Sequence, residues 1–240
     1  MGLNLLAETR DVVEERKKEI ERQLSFIKKA IDAKSSNLIF LGKDGNDSEG
    51  VNNQVIFDRG LIKTLSASTY LLLYNLIECS MTNAIDSIHS HIKKENIGFH
   101  DLTLNMQKVA LKNFRNALSK EENILAQGSI EHAMVWLGYD GEKLFSGNID
   151  AKKIREMAIK YGFSISEETI KKSKGGRSLV MVKSKRNELA HGKISFEECG
   201  QECSIDELYS IYEQVIVFVD GIMDAIENYL KDKQYLKVSS

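Results

Sequence analysis

Arg186, Asn187 and His191 fall within six residues of one another, inside the run Lys183-Ser184-Lys185-Arg186-Asn187-Glu188-Leu189-Ala190-His191-Gly192-Lys193. This is one of the most basic parts of a chain whose formal net charge is only −2. A permanently charged guanidinium beside an imidazole suits proton transfer and charge stabilisation at a phosphodiester. On a helix, Asn187 and His191 share a face at four-residue spacing, so the amide can fix the orientation of the imidazole. Arg186 then stands about 140° round the helix from His191. The two cannot touch directly, but they can flank one groove filled by a substrate phosphate or by a second protomer. Gly192 can adopt positive φ and end the helix, which leaves His191 on the last turn, where the dipole favours a cationic side chain.

Around this trio the charge is concentrated locally. Lys171, Lys172, Lys174, Arg177, Lys183, Lys185, Arg186 and Lys193 face the single acid Glu188 over residues 171–193. Arg177, Lys183, Lys185 and Lys193 are the cations expected to hold a polyanion, and the competing reading of the same stretch is a solvated, flexible face. Cys79, Cys199 and Cys203 form neither a disulfide framework nor a CxxC pair. Cys199, Cys203 and His191 lack a fourth ligand at suitable spacing, so no metal and no cofactor is expected. His89, His91 and His100 have no ligand spacing either and are expected at the surface or as satisfied polar residues.

The elements that must position these residues are helical. The chain has 240 residues and no proline, against an average usage of about 5%, which favours long uninterrupted helices. Residues 3–34 carry Leu6, Val13, Ile20, Leu24, Ile27 and Ile31 on one stripe, expected to pack on the body of the same chain rather than form a coiled-coil arm. Residues 34–60 lose that period, and Asn37 to Leu41 and Gln54 to Asp58 read as short strands around a loop. Leu61 to Ile92 is the longest apolar-periodic stretch and should be the central buried helix. On it Asn75, Glu78 and Thr82 share a face that Asp86 and His89 continue. Glu78 needs a partner if buried, either Arg186 or solvent and a backbone amide.

Further along, Asn105 to Leu118 is amphipathic through Met106, Val109, Ala110, Leu111, Phe114 and Leu118. Ser119 with Glu122 should open a short helix and Ser129 another, on which Trp136 belongs to the core. Asp150 caps a helix over 151–161 that Gly162 ends, and Ser166 starts a short one before the basic loop 173–177. The motif helix begins near Arg177 and buries Leu179, Val182 and Leu189. Ser204 with Glu207 caps the last helix, to about Lys231. The organisation expected is a helix and loop/β excursion over 1–60, an all-α domain over 61–232 and a tail over 233–240. Reduced thiols, the absence of a signal peptide and the lack of any membrane-length apolar run point to a soluble cytoplasmic protein.

Arg186-Asn187-x-x-x-His191 resembles the R-x4-6-H signature of HEPN domains. The run Tyr74-Asn75-Leu76-Ile77-Glu78, then Ser146-Gly147-Asn148-Ile149-Asp150 with Ile154-Arg155 and Tyr161-Gly162-Phe163, then the motif with Ser195-Phe196-Glu197-Glu198-Cys199-Gly200, are together similar to the MAE-type HEPN-like nucleases. That resemblance implies an all-α helical bundle and metal-independent endoribonuclease activity. His191 would be general base or acid, Arg186 the stabiliser of phosphorane charge, and Asn187 an orienting or phosphate-donating group. Asn75 and Glu78 would support them from the central helix. It also implies RNA as partner, a homodimer with a composite active site, and a role as toxin or phage-defence effector. The alternative it leaves is a non-catalytic RNA-binding or assembly module, partner of a nucleotidyltransferase-type antitoxin.

Overall fold

Helix α2 (Arg59–Lys94) runs through the middle of an all-α fold. The computed structural model describes residues 2–33, 37–39, 54–56, 58–119, 129–145 and 147–238. Before α2 come α1 (Gly2–Asp32) and the short antiparallel strands β1 (Asn37–Ile39) and β2 (Gln54–Ile56), in register with Leu38 opposite Val55. After it come α3 (Leu104–Ser119), α4 (Ile130–Trp136), α5 (Ala151–Tyr161), α6 (Glu167–Lys172), α7 (Arg177–Ala190), α8 (Phe196–Gln201) and α9 (Ile205–Lys231). The loop between the strands and Glu122 fall outside the described residues; Ser119, expected to open a helix with it, is instead the last residue of α3. Side-chain caps set most of the starts: Asp58 for α2, Ser129 for α4, Asp150 for α5, Ser166 for α6, Ser195 with Glu198 for α8 and Ser204 with Glu207 for α9. Each such cap stabilises its helix by about 1 kcal/mol.

The apolar face of α2 meets α1, α7, α8 and α9. Leu73, Leu76, Ala84 and Ile88 are fully buried in one core that also takes Leu6, Val13, Ile20 and Leu24 from α1. Thus the first helix lies along the bundle, as its single stripe predicts. Lys17 to Asp220 at 2.8 Å and Arg10 to Asp224 at 2.7 Å tie it to α9. Ile31 departs from the stripe: at the end of α1 it is 39% exposed. Residues after α9 are packed as well. Tyr235 is buried, its hydroxyl is 3.0 Å from Nε2 of His91, and Leu236 bridges to Leu102.

Helix α3 corrects one expectation. Met106, Val109 and Ala110 point inward, but the inner arc continues through Asn113 and Ala117, while Leu111 and Leu118 turn outward. The period is helical as read; the arc is chosen by the packing of α3 on α4 and α5.

His89 shows how α2 houses its polar residues. Its Nε2 is 2.8 Å from the Tyr161 hydroxyl, its ring stacks on Tyr139 at 3.7 Å, and the Tyr139 hydroxyl donates to Asp86. Burial first, then the charge of Lys160, pushes its pKa down to about 3. An imidazole that stays neutral in the folded chain but titrates ordinarily when unfolded makes the unfolded state bind more protons below about pH 6.5. Stability therefore falls as pH drops from about 6.5 toward 3, by at most about 1.4 kcal/mol per pH unit. His91, lowered chiefly by burial, acts in the same direction. Urea melts at about pH 7 and about pH 5.5 should show a smaller acid loss in His89→Gln than in wild type; equal losses would remove His89 as the cause.

Candidate active site

Helix α7 begins at Arg177, as its apolar spacing predicts, after Gly175 and Gly176 turn the chain at φ of 70° and 72°. Its end is a closed Schellman turn. Gly192 at φ 63° lets its N–H donate to Leu189 O at 3.1 Å, while the N–H of Lys193 donates to Glu188 O at 2.9 Å. His191 is thereby held as the residue between helix and turn. Its side chain is exposed, and among the described residues the imidazole makes no hydrogen bond, ion pair or ring contact.

Arg186 is half-buried and closely held. Its guanidinium carbon lies 4.4 Å from the centroid of the Tyr74 ring, and Nη1 donates to Asn187 Oδ1 at 2.9 Å and to Gly147 O at 3.4 Å. Gly147 reaches the guanidinium with φ 70°, a backbone conformation that favours glycine; a Cβ there would meet Arg186 Nη2 at 3.4 Å, ordinary contact distance. The N–H of Ile149 donates to the Tyr74 hydroxyl at 3.2 Å. The runs around Tyr74, Gly147 and Arg186 thus converge on one guanidinium, stacked as a planar cation suits.

The amide of Asn187 is turned to Arg186, not to His191; only the backbone joins the latter pair, through His191 N–H to Asn187 O at 3.0 Å. Glu78 forms no ion pair with Arg186 among the described residues. Its charge reaches the site through Tyr74, whose pKa is raised by burial, opposed by the Ile149 amide, raised by Glu78 and lowered by Arg186. Asn75 is exposed, and neither it nor Glu78 hydrogen-bonds to the motif residues.

Two of the four cations expected to bind substrate are already engaged. Lys183 pairs with Asp150, the cap of α5; burial opposes ionisation of that carboxyl, but Lys183 and the amides of Lys153 and Lys152 hold it below the usual range. Lys185 bridges Glu202 and Glu188, fixing the end of α7 to the end of α8. Arg177 and Lys193 are exposed. Sequence reasoning missed these pairings, and it missed Tyr74 as the platform for Arg186. The signal for Tyr74 was its place one turn before Glu78 on the central helix.

Fold and site together define an all-α protein with an R-x4-H motif at the end of a helix. The chain belongs to the MAE_28990-like HEPN family, which it matches over residues 5–235. That span takes in α1 and the segment after α9. Comparison with curated proteins and with solved structures found no match. Among the described residues no helix is long and apolar enough to cross a membrane.

Proposed function

We infer that the chain is a HEPN-type endoribonuclease that cleaves RNA through its own 2′-hydroxyl and needs no metal ion. The observation that carries this reading is the unequal setting of the motif pair: Arg186 is braced by Tyr74, Gly147 and Asn187, while the His191 imidazole is exposed and makes no hydrogen bond, ion pair or ring contact among the described residues. A structural pair would be enclosed and mutually satisfied. A braced guanidinium is pre-organised for the charge that builds on the non-bridging oxygens of a phosphorane, and a free imidazole is available to take or give the proton. The attacking 2′-hydroxyl loses its proton, the 5′-oxygen leaves with one, and the product ends in a 2′,3′-cyclic phosphate. Asn187 keeps Arg186 in place, and Arg177 and Lys193 are the cations left to meet the RNA backbone.

A homodimer with a composite site suits this geometry. Arg186 and His191 stand about 140° apart round an ideal helix, so the His191 of a second protomer can complete the site that Arg186 begins. Val180, at 48% exposure, lies on the stripe of α7 that leads through Ser184 and Asn187 to His191, an apolar beginning for a two-fold contact. A toxin or phage-defence role, in the cytoplasm, fits such an RNase. One observation favours the second reading, a non-catalytic module paired with a nucleotidyltransferase-type antitoxin: Lys183 and Lys185 are committed to carboxylates. The two readings separate in one experiment. Purified protein incubated with total RNA in excess EDTA should yield fragments with cyclic phosphate ends; intact RNA with dimeric, folded protein would leave the module reading.

A further inference from the structure

A cleft of about 310 Å³ lies between α3, the connector 137–150 and α5, and it shares no lining residue with the motif. Its walls carry Lys112, Lys143, Lys153 and Lys160 against two carboxylates. Those carboxylates are engaged: Asp140 by Lys143 at 2.9 Å and Glu156 by Lys153 at 3.9 Å. Lys112 and Lys160 have no carboxylate within ion-pair distance among the described residues. Lys160 is half-buried beside the Tyr161 ring, 5.4 Å from its centroid. Burial, then the charges of Lys112 and Lys153, depresses its pKa, the signature of an ammonium lacking its counter-ion. The wall also holds Asn113, only 8% exposed, whose Nδ2 finds no acceptor among the described residues. The arrangement is fixed rather than incidental: Gly138 sits at φ 72°, and a Cβ there would come 1.8 Å from Asn113 O, so connector and α3 are in direct backbone contact.

We propose that this cleft binds a phosphate group of a small molecule or of an RNA end, anchored by Lys160 and Lys112. Two unpaired ammonium groups suit a doubly charged oxyanion better than a carboxylate, and lysine serves phosphate as a point charge. The volume is at the lower end of ligand pockets, room for a phosphate with a sugar-sized appendage and not for a duplex. The site is independent of the nuclease reading.

The test is calorimetric titration of the full chain with inorganic phosphate, against sodium chloride at matched ionic strength. Saturable binding is expected in wild type and in His191→Ala, and should weaken about tenfold in Lys160→Gln, the loss of one charge-assisted contact. Lys112→Gln, at an exposed position, guards against a folding defect and should weaken binding in the same direction. Competition by a 5′-phosphorylated oligoribonucleotide, but not by its 5′-hydroxyl counterpart, would name an RNA end as the source; competition by neither names a free small phosphate. The proposal is overturned by heat that chloride reproduces, by wild-type binding in both lysine variants, or by loss of binding in His191→Ala, which would place the anion at the motif.

Discussion

His191→Ala should lower RNA cleavage by roughly 10²–10⁴-fold, the usual contribution of a positioned proton-transfer group, while leaving the melting temperature where it was. The second half follows from exposure: the imidazole makes no hydrogen bond, ion pair or ring contact among the described residues, and the Schellman turn that holds the backbone uses main-chain groups alone. Surface changes of that kind stay within about 0.5 kcal/mol. Arg186→Ala should cost as much activity and some stability too, because it strips the Tyr74 face and leaves Gly147 O and Asn187 Oδ1 without their donor. If His191 of one protomer serves the Arg186 of another, the two inactive variants should complement. Half of the dimers in an equimolar mixture are heterodimers with one intact site each, so activity should recover to about a quarter of wild type. Rates from gel-resolved cleavage of one RNA decide it. Wild-type cleavage by His191→Ala would end the assignment, and no recovery on mixing, with exchange shown by mass, would put both residues of a working site in one chain.

What could be read in advance was whatever depends on neighbours along the chain. The spacing of Leu6, Val13, Ile20 and Leu24 marks a one-sided helix, and Ser204 with Glu207 marks a helix start, because both are decided within a few residues. Which arc of α3 faces inward is decided by α4 and α5, so Leu111 and Leu118 look like core in the sequence and are not. The same limit governs the site. Gly192 as the end of the motif helix and the separation of Arg186 from His191 are local consequences of helix geometry. The partner of Lys183 is Asp150, 33 positions away, and one partner of Lys185 is Glu202, 17 positions away. Counting lysines therefore overstated the charge left unpaired near the motif. The Tyr74 ring becomes a seat for Arg186 only where α2 and α7 cross, and the amide of Asn187, with Arg186 and His191 both on its helix, faces Arg186.

Gly200→Ala should destabilise the protein by about 2–3 kcal/mol, the cost of overpacking a tight interface, although alanine is the better helix former by about 1 kcal/mol. The sign turns on where α8 rests. A Cβ at Gly200 would lie 1.8 Å from the carbonyl oxygen of Lys63 and 2.9 Å from its Cα, and these are backbone atoms of α2 that have no rotamer to yield. Helix α8 would have to lift. It cannot do so freely, because Cys199 beside Gly200 is fully buried, Lys63 Nζ donates to Gln201 at 2.8 Å, and Lys185 ties Glu202 to α7. For a chain of this size each kcal/mol moves the melting temperature by about 2–4 °C, so calorimetry should show a drop of roughly 5–10 °C. Gly60→Ala is the milder comparison: a Cβ there would meet only side-chain atoms, the carboxylate end of Glu197 at 3.1 Å and the capping Asp58 Oδ1 at 3.3 Å, so its melt should fall by less than that of Gly200→Ala. Because α8 follows directly on the turn that carries His191, the lifted helix should also loosen the end of α7, and cleavage by Gly200→Ala should fall below wild type even at temperatures well under its melt. A Gly200→Ala melt at or above wild type would mean that α8 does not bear on α2 at this point.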